Sequence, residues 1–208
     1  MNLVAESIGL LAGACGLSIA IPQILRVLRT KSHVGVSTSS WLILTLSVIS
    51  WAIYGIRIES PSQIISNVIA AGFNSVLVWI LLREDLRSRI SRPGTMATTI
   101  VVILGAVCSA IVWFSSELVT EIFLSLFLTS RMPQVASSFR SWRLGRATVV
   151  SKLTFTLATA SGVCWVIYGL MMGLPFVYWF SAAMTLLSVL VLIFELLAAK
   201  KASSLTAA

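Results

Sequence analysis

Apolar residues fill seven long stretches of this chain, and short polar segments separate them. The stretches cover about residues 3–25, 38–57, 62–82, 96–115, 117–139, 150–170 and 175–197. Each is close to the roughly 20 apolar residues that a helix needs to cross a bilayer. The pattern therefore predicts an all-α integral membrane protein with seven transmembrane helices. Two separating segments, residues 57–61 and 115–117, are very short, so six or eight helices remain alternatives.

The composition supports a membrane protein. The 208 residues are 58% hydrophobic and 11% charged, and the mean hydropathy is +0.99. Soluble domains carry roughly 45–50% apolar and about 25% charged residues, so this composition excludes a soluble domain. The first stretch has no basic residue before Arg26 and is too long for a removable signal peptide. We therefore expect it to be a transmembrane helix.

The net charge of +8 is distributed unevenly along the chain. Thirteen of the 15 basic residues follow the first, third, fifth and seventh stretches, which is one side of a seven-helix arrangement. Because cytoplasmic loops carry an excess of Lys and Arg, the N-terminus is predicted outside and the C-terminus in the cytoplasm. An even number of helices would spoil this separation, which favours seven. The charge therefore indicates orientation in the lipid bilayer, and we expect no nucleic-acid partner.

A motif of the second and third stretches returns later in the chain. Residues 51–61 and 165–175 share Trp, Ile, Tyr, Gly and Pro at a constant offset of 114. Such an ordered series indicates an internal duplication. The predicted divisions are a first three-helix repeat at 1–83, a cytoplasmic loop and linker helix at 84–115, a second three-helix repeat at 116–199 and a cytoplasmic tail at 200–208. Since each repeat has an odd number of helices, the linker helix makes the two repeats parallel.

Pro22 and Pro133 lie inside the first and fifth predicted helices, at an offset of 111. A proline removes one backbone hydrogen bond and crowds the preceding turn, so each is expected to bend its helix. Matching positions in the two repeats favour hinges, and static kinks are the alternative. The side-chain amides of Gln23 and Gln134 can bond to the carbonyl groups that the prolines leave free.

The runs at residues 21–23 (Ile-Pro-Gln) and 130–134 (Ser-Arg-Met-Pro-Gln) resemble the signature of the PQ-loop superfamily. This superfamily holds the SWEET and SemiSWEET sugar transporters, the cystinosin-type amino-acid carriers and the KDEL receptor. The segment from Trp51 and Tyr54 to Asn67 is similar to SWEET and SemiSWEET sequences in particular. The resemblance covers nearly the whole chain and implies a 3+1+3 arrangement of helices.

The resemblance implies a substrate site formed by Trp51 and Asn67. Each lies eight residues from the centre of the turn between its helices, and so at the same depth. Trp165 and Ser181 repeat this relation, although Ser181 is shorter than the amide it replaces. Four side chains at one level would line a central cavity in which indoles stack on a sugar and an amide bonds to its hydroxyls; Asn74 would extend this polar track. The alternatives are an aromatic belt and an interhelical hydrogen bond.

The resemblance also implies an outer gate formed by Tyr54 and Tyr168, with Arg57 beside the first. Alternatively, the tyrosines are interfacial anchors and Arg57 is a surface charge. Arg131 is unusual because it is a charge inside an apolar stretch. It either reaches the lipid headgroups or a structural partner, or it binds an anionic substrate, as similar Ser-Arg-x-Pro-Gln runs in other PQ-loop proteins imply.

These features predict a facilitative transporter of a small sugar, working by alternating access as the two repeats rock. One alternative is a transporter of an amino acid or carboxylated metabolite that uses Arg131, and another is a non-transporting receptor or scaffold. With no Asp or His in any predicted helix, a proton relay is poorly supported and uniport is expected.

The sequence has no residue set typical of an enzyme, no metal cluster and no nucleotide motif, so we expect no catalytic residues and no cofactor. The expected location is a plasma membrane of the bacterial inner-membrane type. One chain that carries both repeats is sufficient for a monomer, with a homo-oligomer as the alternative.

Overall fold

The computed structural model describes residues 2–30, 38–87, 91–145 and 152–206, and the regular secondary structure of that part is all helical. Its helices are α1 (Leu3–Thr30), α2 (Thr38–Arg57), α3 (Pro61–Leu86), α4 (Pro93–Phe114), α5 (Glu117–Ser125), α6 (Met132–Leu144), α7 (Lys152–Met171) and α8 (Pro175–Thr206). A 3₁₀ segment, Leu126–Arg131, joins α5 to α6. Counted as one broken helix, α5 and α6 complete the seven-helix arrangement that the apolar stretches predict.

Five helices in the described part of the chain are long and apolar enough to cross a membrane: α2, α3, α4, Leu153–Met171 of α7 and Pro175–Ala202 of α8. A shorter apolar segment, Leu3–Ser18, lies in α1. Large apolar side chains on these helices point outward, among them Val102, which is 62% exposed, and Trp179, which is 67% exposed. Extended apolar surface of this kind marks contact with a membrane. The chain is a multi-pass membrane protein, and its predicted orientation stays a prediction.

The chain forms two compact units. The central unit is Ala20–Phe127, and the terminal unit combines Met1–Ile19 with Leu128–Ala208. The boundaries therefore lie inside α1 and inside the 3₁₀ segment, each within two helical turns before a Pro-Gln pair. The predicted division at 1–83, 84–115, 116–199 and 200–208 describes the sequence repeats and not these spatial units, and it stays a prediction.

In the central unit, α2 packs along α3, and α4 packs against both. The turn between α2 and α3 places Glu59 at φ 51°, in the left-handed region. Ser60 then caps α3 by accepting a hydrogen bond from the Gln63 amide. At Gly55 the two helices are so close that an added Cβ would lie 2.8 Å from the Gln63 Cβ. A glycine is therefore needed at this position for α2 and α3 to meet.

In the terminal unit, α7 and α6 both pack against α8. The α7–α8 turn places Gly173 at φ 64°, and a Cβ on Gly169 would lie 2.7 Å from the Tyr178 nitrogen. These are the two features of the α2–α3 turn, 114 residues later. The first half of α1 belongs to this unit, where Ala12 accepts a hydrogen bond of 2.8 Å from the Ser161 hydroxyl. The duplicated sequence thus builds the same close helical hairpin in each unit.

Candidate functional site

Each unit holds a tryptophan and a tyrosine one helical turn apart, in the same mutual arrangement. In α2 the rings of Trp51 and Tyr54 are 5.5 Å apart at 87°, and in α7 those of Trp165 and Tyr168 are 5.4 Å apart at 88°. Edge-to-face packing of this kind fixes the orientation of both rings. Trp51, Tyr54 and Tyr168 are buried, whereas Trp165 is half-buried. The repeated motif therefore sets two indoles in the same way, one in each unit.

Asn67 is held by Gln63, which is not among the predicted site residues. Its side-chain nitrogen donates to the Gln63 backbone oxygen at 2.8 Å and to the Gln63 Oε1 at 3.2 Å. Gln63 itself is buried. Both side chains project from the same face of α3, because they are four residues apart. The four-residue spacing is the sequence signal for this pair. The two hydrogen bonds to Gln63 hold the Asn67 side-chain nitrogen and leave the Asn67 side-chain oxygen as an acceptor.

The terminal unit lacks this amide pair. The residues that match Gln63 and Asn67 are Val177 and Ser181, and both are buried. Ser181 offers one hydroxyl and has no side-chain amide one turn before it. The polar groups at these two matching positions therefore differ between the two units, as the sequence comparison indicates.

Asn74 is a buried polar residue further along α3. It is 2% exposed, and its side-chain oxygen has no hydrogen-bond partner within the described part of the chain. Leaving such a group unsatisfied costs roughly 1–3 kcal/mol. Its counterpart Ser188 instead donates to the Met184 carbonyl at 2.9 Å. Asn74 is therefore the better placed of the two to accept a hydrogen bond from a water or a solute.

Arg57 lies at the end of α2 and binds the end of α4. Its Nη1 donates to the carbonyl oxygens of Val112 at 2.5 Å and Ser115 at 3.2 Å, and to the Thr120 hydroxyl at 2.8 Å. The last carbonyls of a helix lack partners within the helix and carry partial negative charge, so a guanidinium is a favourable cap there. Arg57 therefore has a structural role as a cap of α4. Its role in an outer gate stays a prediction.

The two tyrosines lie near carboxylates from the first helix of the opposite repeat. Tyr168 is fully buried, and its hydroxyl donates to the Glu6 Oε1 at 3.3 Å. In the central unit, Tyr54 lies within electrostatic range of Glu121 and Glu117. Glu6 and Glu117 occupy the same position of the two repeats. Each predicted gate tyrosine therefore has an acidic neighbour that its own repeat does not supply.

The two Pro-Gln pairs have different backbones. α1 is continuous through Pro22 and Gln23, whose side chains lie outside the described part of the chain. In the second repeat the helix changes to the 3₁₀ form before α6 begins, with Pro133 in its first turn. A proline there loses no intrahelical bond, and a 3₁₀ segment inside a longer helix often marks a hinge or strain. The predicted hinge at Pro22 and that at Pro133 both stay predictions.

Arg131 ends the 3₁₀ segment, and its guanidinium carbon lies 5.8 Å from the centre of the Phe155 ring. A cation this close to an aromatic face is stabilised by it. Arg131 thus has a structural partner on α7, which is one of the two predicted roles. Its role toward an anionic substrate stays a prediction.

Glu195 was overlooked in the sequence, although it lies inside the seventh apolar stretch. It is 3% exposed, and its Oε1 accepts a hydrogen bond of 2.6 Å from the Ser138 hydroxyl. The Ser138 oxygen in turn accepts from the Gln134 side chain at 3.2 Å. A buried acid within a transmembrane helix is a candidate functional residue. It connects the Gln of the second Pro-Gln pair with α8.

A cavity of about 360 Å³ lies along α7 and α8 in the terminal unit. Its lining is nearly all apolar and includes Val163, Ile167, Leu186 and Val189, but neither of the predicted site residues of that unit. A sugar needs several hydrogen-bonding partners, which this lining does not offer. The cavity is therefore not the predicted sugar site.

Known proteins with similar sequences decide the family. The sequence profile of the PQ loop repeat matches residues 4–64. The sugar transporter SemiSWEET of Leptospira biflexa serovar Patoc is 31% identical over 64 residues, which are 31% of this chain and 75% of that protein. The chain belongs to the SWEET/SemiSWEET-like PQ-loop family. The second repeat of this PQ-loop protein is related to the first through the internal duplication.

The fold of this PQ-loop protein is that of a SWEET transporter. A solved structure of a eukaryotic SWEET transporter matches it with a TM-score of 0.68 at 18% sequence identity. The match covers 95% of this chain and 99% of that chain. The predicted arrangement of two three-helix repeats with a linker helix is thereby confirmed.

Proposed function

We propose that this PQ-loop protein transports a small sugar, a mono- or disaccharide, across the membrane. The SemiSWEET of Leptospira biflexa, a sugar transporter, supports this proposal, and so does the SWEET transporter with the same fold. The observation that carries it is the ordered set of Trp51, Asn67 and Gln63, which presents an indole and a directed amide in one unit. These relatives are transporters and not enzymes, and we propose no catalytic residue.

The proposed site uses chemistry that suits a sugar. The apolar C–H face of a sugar ring stacks on an indole, for which Trp51 and Trp165 are the candidates. The side-chain oxygen of Asn67 accepts from a hydroxyl group, since its nitrogen is engaged by Gln63. Ser181 adds a hydroxyl that both donates and accepts. Because the two sets are unequal, we propose that the sugar binds in one preferred orientation.

Asn74 is the proposed next contact along the path. Its oxygen lacks a partner within the described residues, so a sugar hydroxyl or a water would satisfy it. Binding there stays weak, because one hydrogen bond contributes roughly 0.5–1.5 kcal/mol net. A weak second contact suits a path that the solute must leave.

We further propose that transport is facilitative and follows alternating access. The Pro-Gln pairs would act as hinges, with the 3₁₀ segment as the softer of the two because its hydrogen bonds have poorer geometry. Tyr54 and Tyr168 would close the outer end of the transport path. The carboxylates near them would affect the stability of this closed form. The proposed location is a plasma membrane, and the proposed working unit is one chain.

Uptake of radiolabelled glucose and sucrose into proteoliposomes tests the proposal. Trp51→Ala and Asn67→Ala are expected to lower uptake at least about tenfold, and Trp51→Phe to restore part of it by stacking. Trp113→Ala is the matched control, because Trp113 is 51% exposed on α4. If these sugars do not move, or if all four variants transport alike, the proposal fails. Alanine and succinate in the same assay test the alternative substrates, with Arg131→Gln as the corresponding variant.

A further inference from the structure

The orientation of the Asn67 side-chain amide is fixed by a contact with the backbone. Its nitrogen lies 2.8 Å from the Gln63 backbone oxygen. A backbone carbonyl accepts hydrogen bonds and never donates them, so the side-chain atom that faces it is the nitrogen and not the oxygen. The Asn67 oxygen is therefore turned away from this contact, on a side chain that is half-buried.

The Gln63 side chain holds the same nitrogen a second time. Its Oε1 accepts from the Asn67 nitrogen at 3.2 Å. Gln63 is 3% exposed, its backbone nitrogen donates to the Ser60 hydroxyl at 3.2 Å, and its Cβ lies against Gly55. The α2–α3 turn and the neighbouring helix thus both restrain it. An amide nitrogen carries two N–H groups, and Gln63 supplies an acceptor for each.

This arrangement leaves Asn67 as a hydrogen-bond acceptor. Its oxygen keeps its lone pairs, whereas its nitrogen is bonded to Gln63. A hydroxyl or an ammonium group of a solute can donate to this oxygen, but a fluorine, an ether oxygen or a carboxylate cannot. A carboxylate also brings its negative charge against the partial negative charge of the amide oxygen. An acceptor that exchanges water for such a group loses a hydrogen bond, which lowers the affinity.

The second repeat lacks this restriction. Val177 stands at the position of Gln63, and Ser181 stands at that of Asn67. A serine hydroxyl can donate or accept, and valine has no side-chain acceptor for it. The fixed polarity of the hydrogen bond is therefore a property of the central unit. Val177 is also 1% exposed, so the same hairpin tolerates a buried apolar residue at this position.

We propose that Gln63 determines which solute groups this transporter accepts at Asn67. It acts as a positioning residue, because it binds the Asn67 nitrogen and leaves the oxygen for a donor. The substrate class is then neutral sugars and amino sugars, which place a hydroxyl or an ammonium group at Asn67. Sugar acids that place a carboxylate there are rejected. This selection rests on the proposed function, since it concerns the sugar that the transporter binds.

Competition against the uptake of labelled glucose tests the selection in proteoliposomes. Each competitor has one altered hydroxyl: deoxy analogues neither donate nor accept there, deoxyfluoro analogues only accept, and aminodeoxy analogues in the ammonium form only donate. At the hydroxyl that meets Asn67, we expect the deoxy and deoxyfluoro analogues to bind equally, both roughly fivefold more weakly than glucose. The aminodeoxy analogue is expected to bind within about twofold of glucose.

Two variants assign the effect to residues. Asn67→Ala is expected to remove the difference between glucose and the deoxy analogue at one position, which identifies the hydroxyl that meets Asn67. Gln63→Leu releases one N–H group of Asn67. In this variant we expect the deoxyfluoro analogue to bind at least about twofold better than the deoxy analogue, because the released N–H can donate to the fluorine. The exposed-surface control Trp113→Ala is expected to keep the wild-type order of analogues.

Nuclear magnetic resonance of the Asn67 side-chain amide gives a measurement that needs no transport. We expect its N–H protons to exchange with water more slowly than those of Asn2, which is exposed, and one of them to exchange at least about tenfold faster in Gln63→Leu. If these protons are protected but no sugar moves, the hydrogen-bond arrangement stands and the proposed function fails.

Other outcomes refute the selection while the function stands. One is that sugar moves and the deoxyfluoro analogue equals glucose at the Asn67 position. A second is that the preference for glucose over its deoxy analogues is unchanged at every hydroxyl in Asn67→Ala. A third is that the deoxy and deoxyfluoro analogues bind equally in Gln63→Leu as well, which would show that Gln63 does not set the polarity.

Discussion

Arg57 gives the sharpest prediction about stability, because its counterpart in the second repeat is Met171. Arg57→Met removes three hydrogen bonds, to Val112 and Ser115 carbonyls and the Thr120 hydroxyl. A bond to a charged group contributes roughly 1.5–3 kcal/mol, but the three share one nitrogen and are not additive. Arg57 is also only half-buried, so solvent lowers their contribution. We expect a total loss of about 2–3 kcal/mol.

For a chain of this size such a loss lowers Tm by roughly 4–12 °C. Tryptophan fluorescence of the purified protein in detergent measures this shift. The Tm of Arg57→Lys is expected to lie between those of the wild type and Arg57→Met, since a single ammonium cannot reproduce the guanidinium geometry. Arg87→Met is the control, because the Arg87 side chain is 75% exposed and forms a surface pair with Glu84. A Tm within about 2 °C of the wild type in Arg57→Met would refute the capping role. Altered transport at unchanged Tm would favour the gate alone.

Further predictions concern α3 and the α7–α8 turn. Gln63→Leu is expected to weaken sugar uptake about tenfold without lowering Tm as much as Arg57→Met, because it frees the Asn67 amide to rotate. Gly169→Ala is expected to destabilise the protein by about 1–3 kcal/mol, measured as a lower Tm, since the added Cβ would lie 2.7 Å from the Tyr178 nitrogen. Gly72→Ala is expected to raise Tm slightly, because a Cβ there meets nothing within 4 Å and alanine favours a helix by up to about 1 kcal/mol.

The helices and the repeat could be predicted because their signals are local. Each transmembrane helix needs a long apolar run, and each run is visible in the sequence. The hairpin turn was visible as well, since the same Trp, Tyr, Gly and Pro pattern returns 114 residues later. α8 continues to Thr206, beyond the apolar stretch that ends near residue 197. The residues after it include Ala and Lys, which favour helix without needing lipid.

The break between α5 and α6 could not be predicted from composition. Apolar residues run through the 3₁₀ segment, and a proline follows in both repeats, yet α1 stays continuous. The difference therefore does not depend on the Pro-Gln pair alone. The contacts of Glu6 with Tyr168 and of Arg57 with α4 were hidden for a similar reason, because they join residues distant in sequence.

Two site residues were within reach of the sequence. Gln63 lies one turn before Asn67 on the same helical face, which is the spacing of side chains that interact. Glu195 is an acid inside an apolar run, and its counterpart is a leucine. What the sequence could not give was their partners, since Ser138 lies 57 residues from Glu195. Mismatches between the two repeats are therefore a guide to candidate functional residues in this chain.

The central claim is that this protein transports a sugar that contacts Trp51 and Asn67. The most direct measurement is the uptake of labelled glucose and sucrose into proteoliposomes by the wild type, Trp51→Ala, Asn67→Ala and the control Trp113→Ala. We predict uptake by the wild type and the control, and a loss of at least about tenfold in the two site variants. Equal uptake by all four proteins, or no uptake of either sugar by the wild type, would contradict the claim.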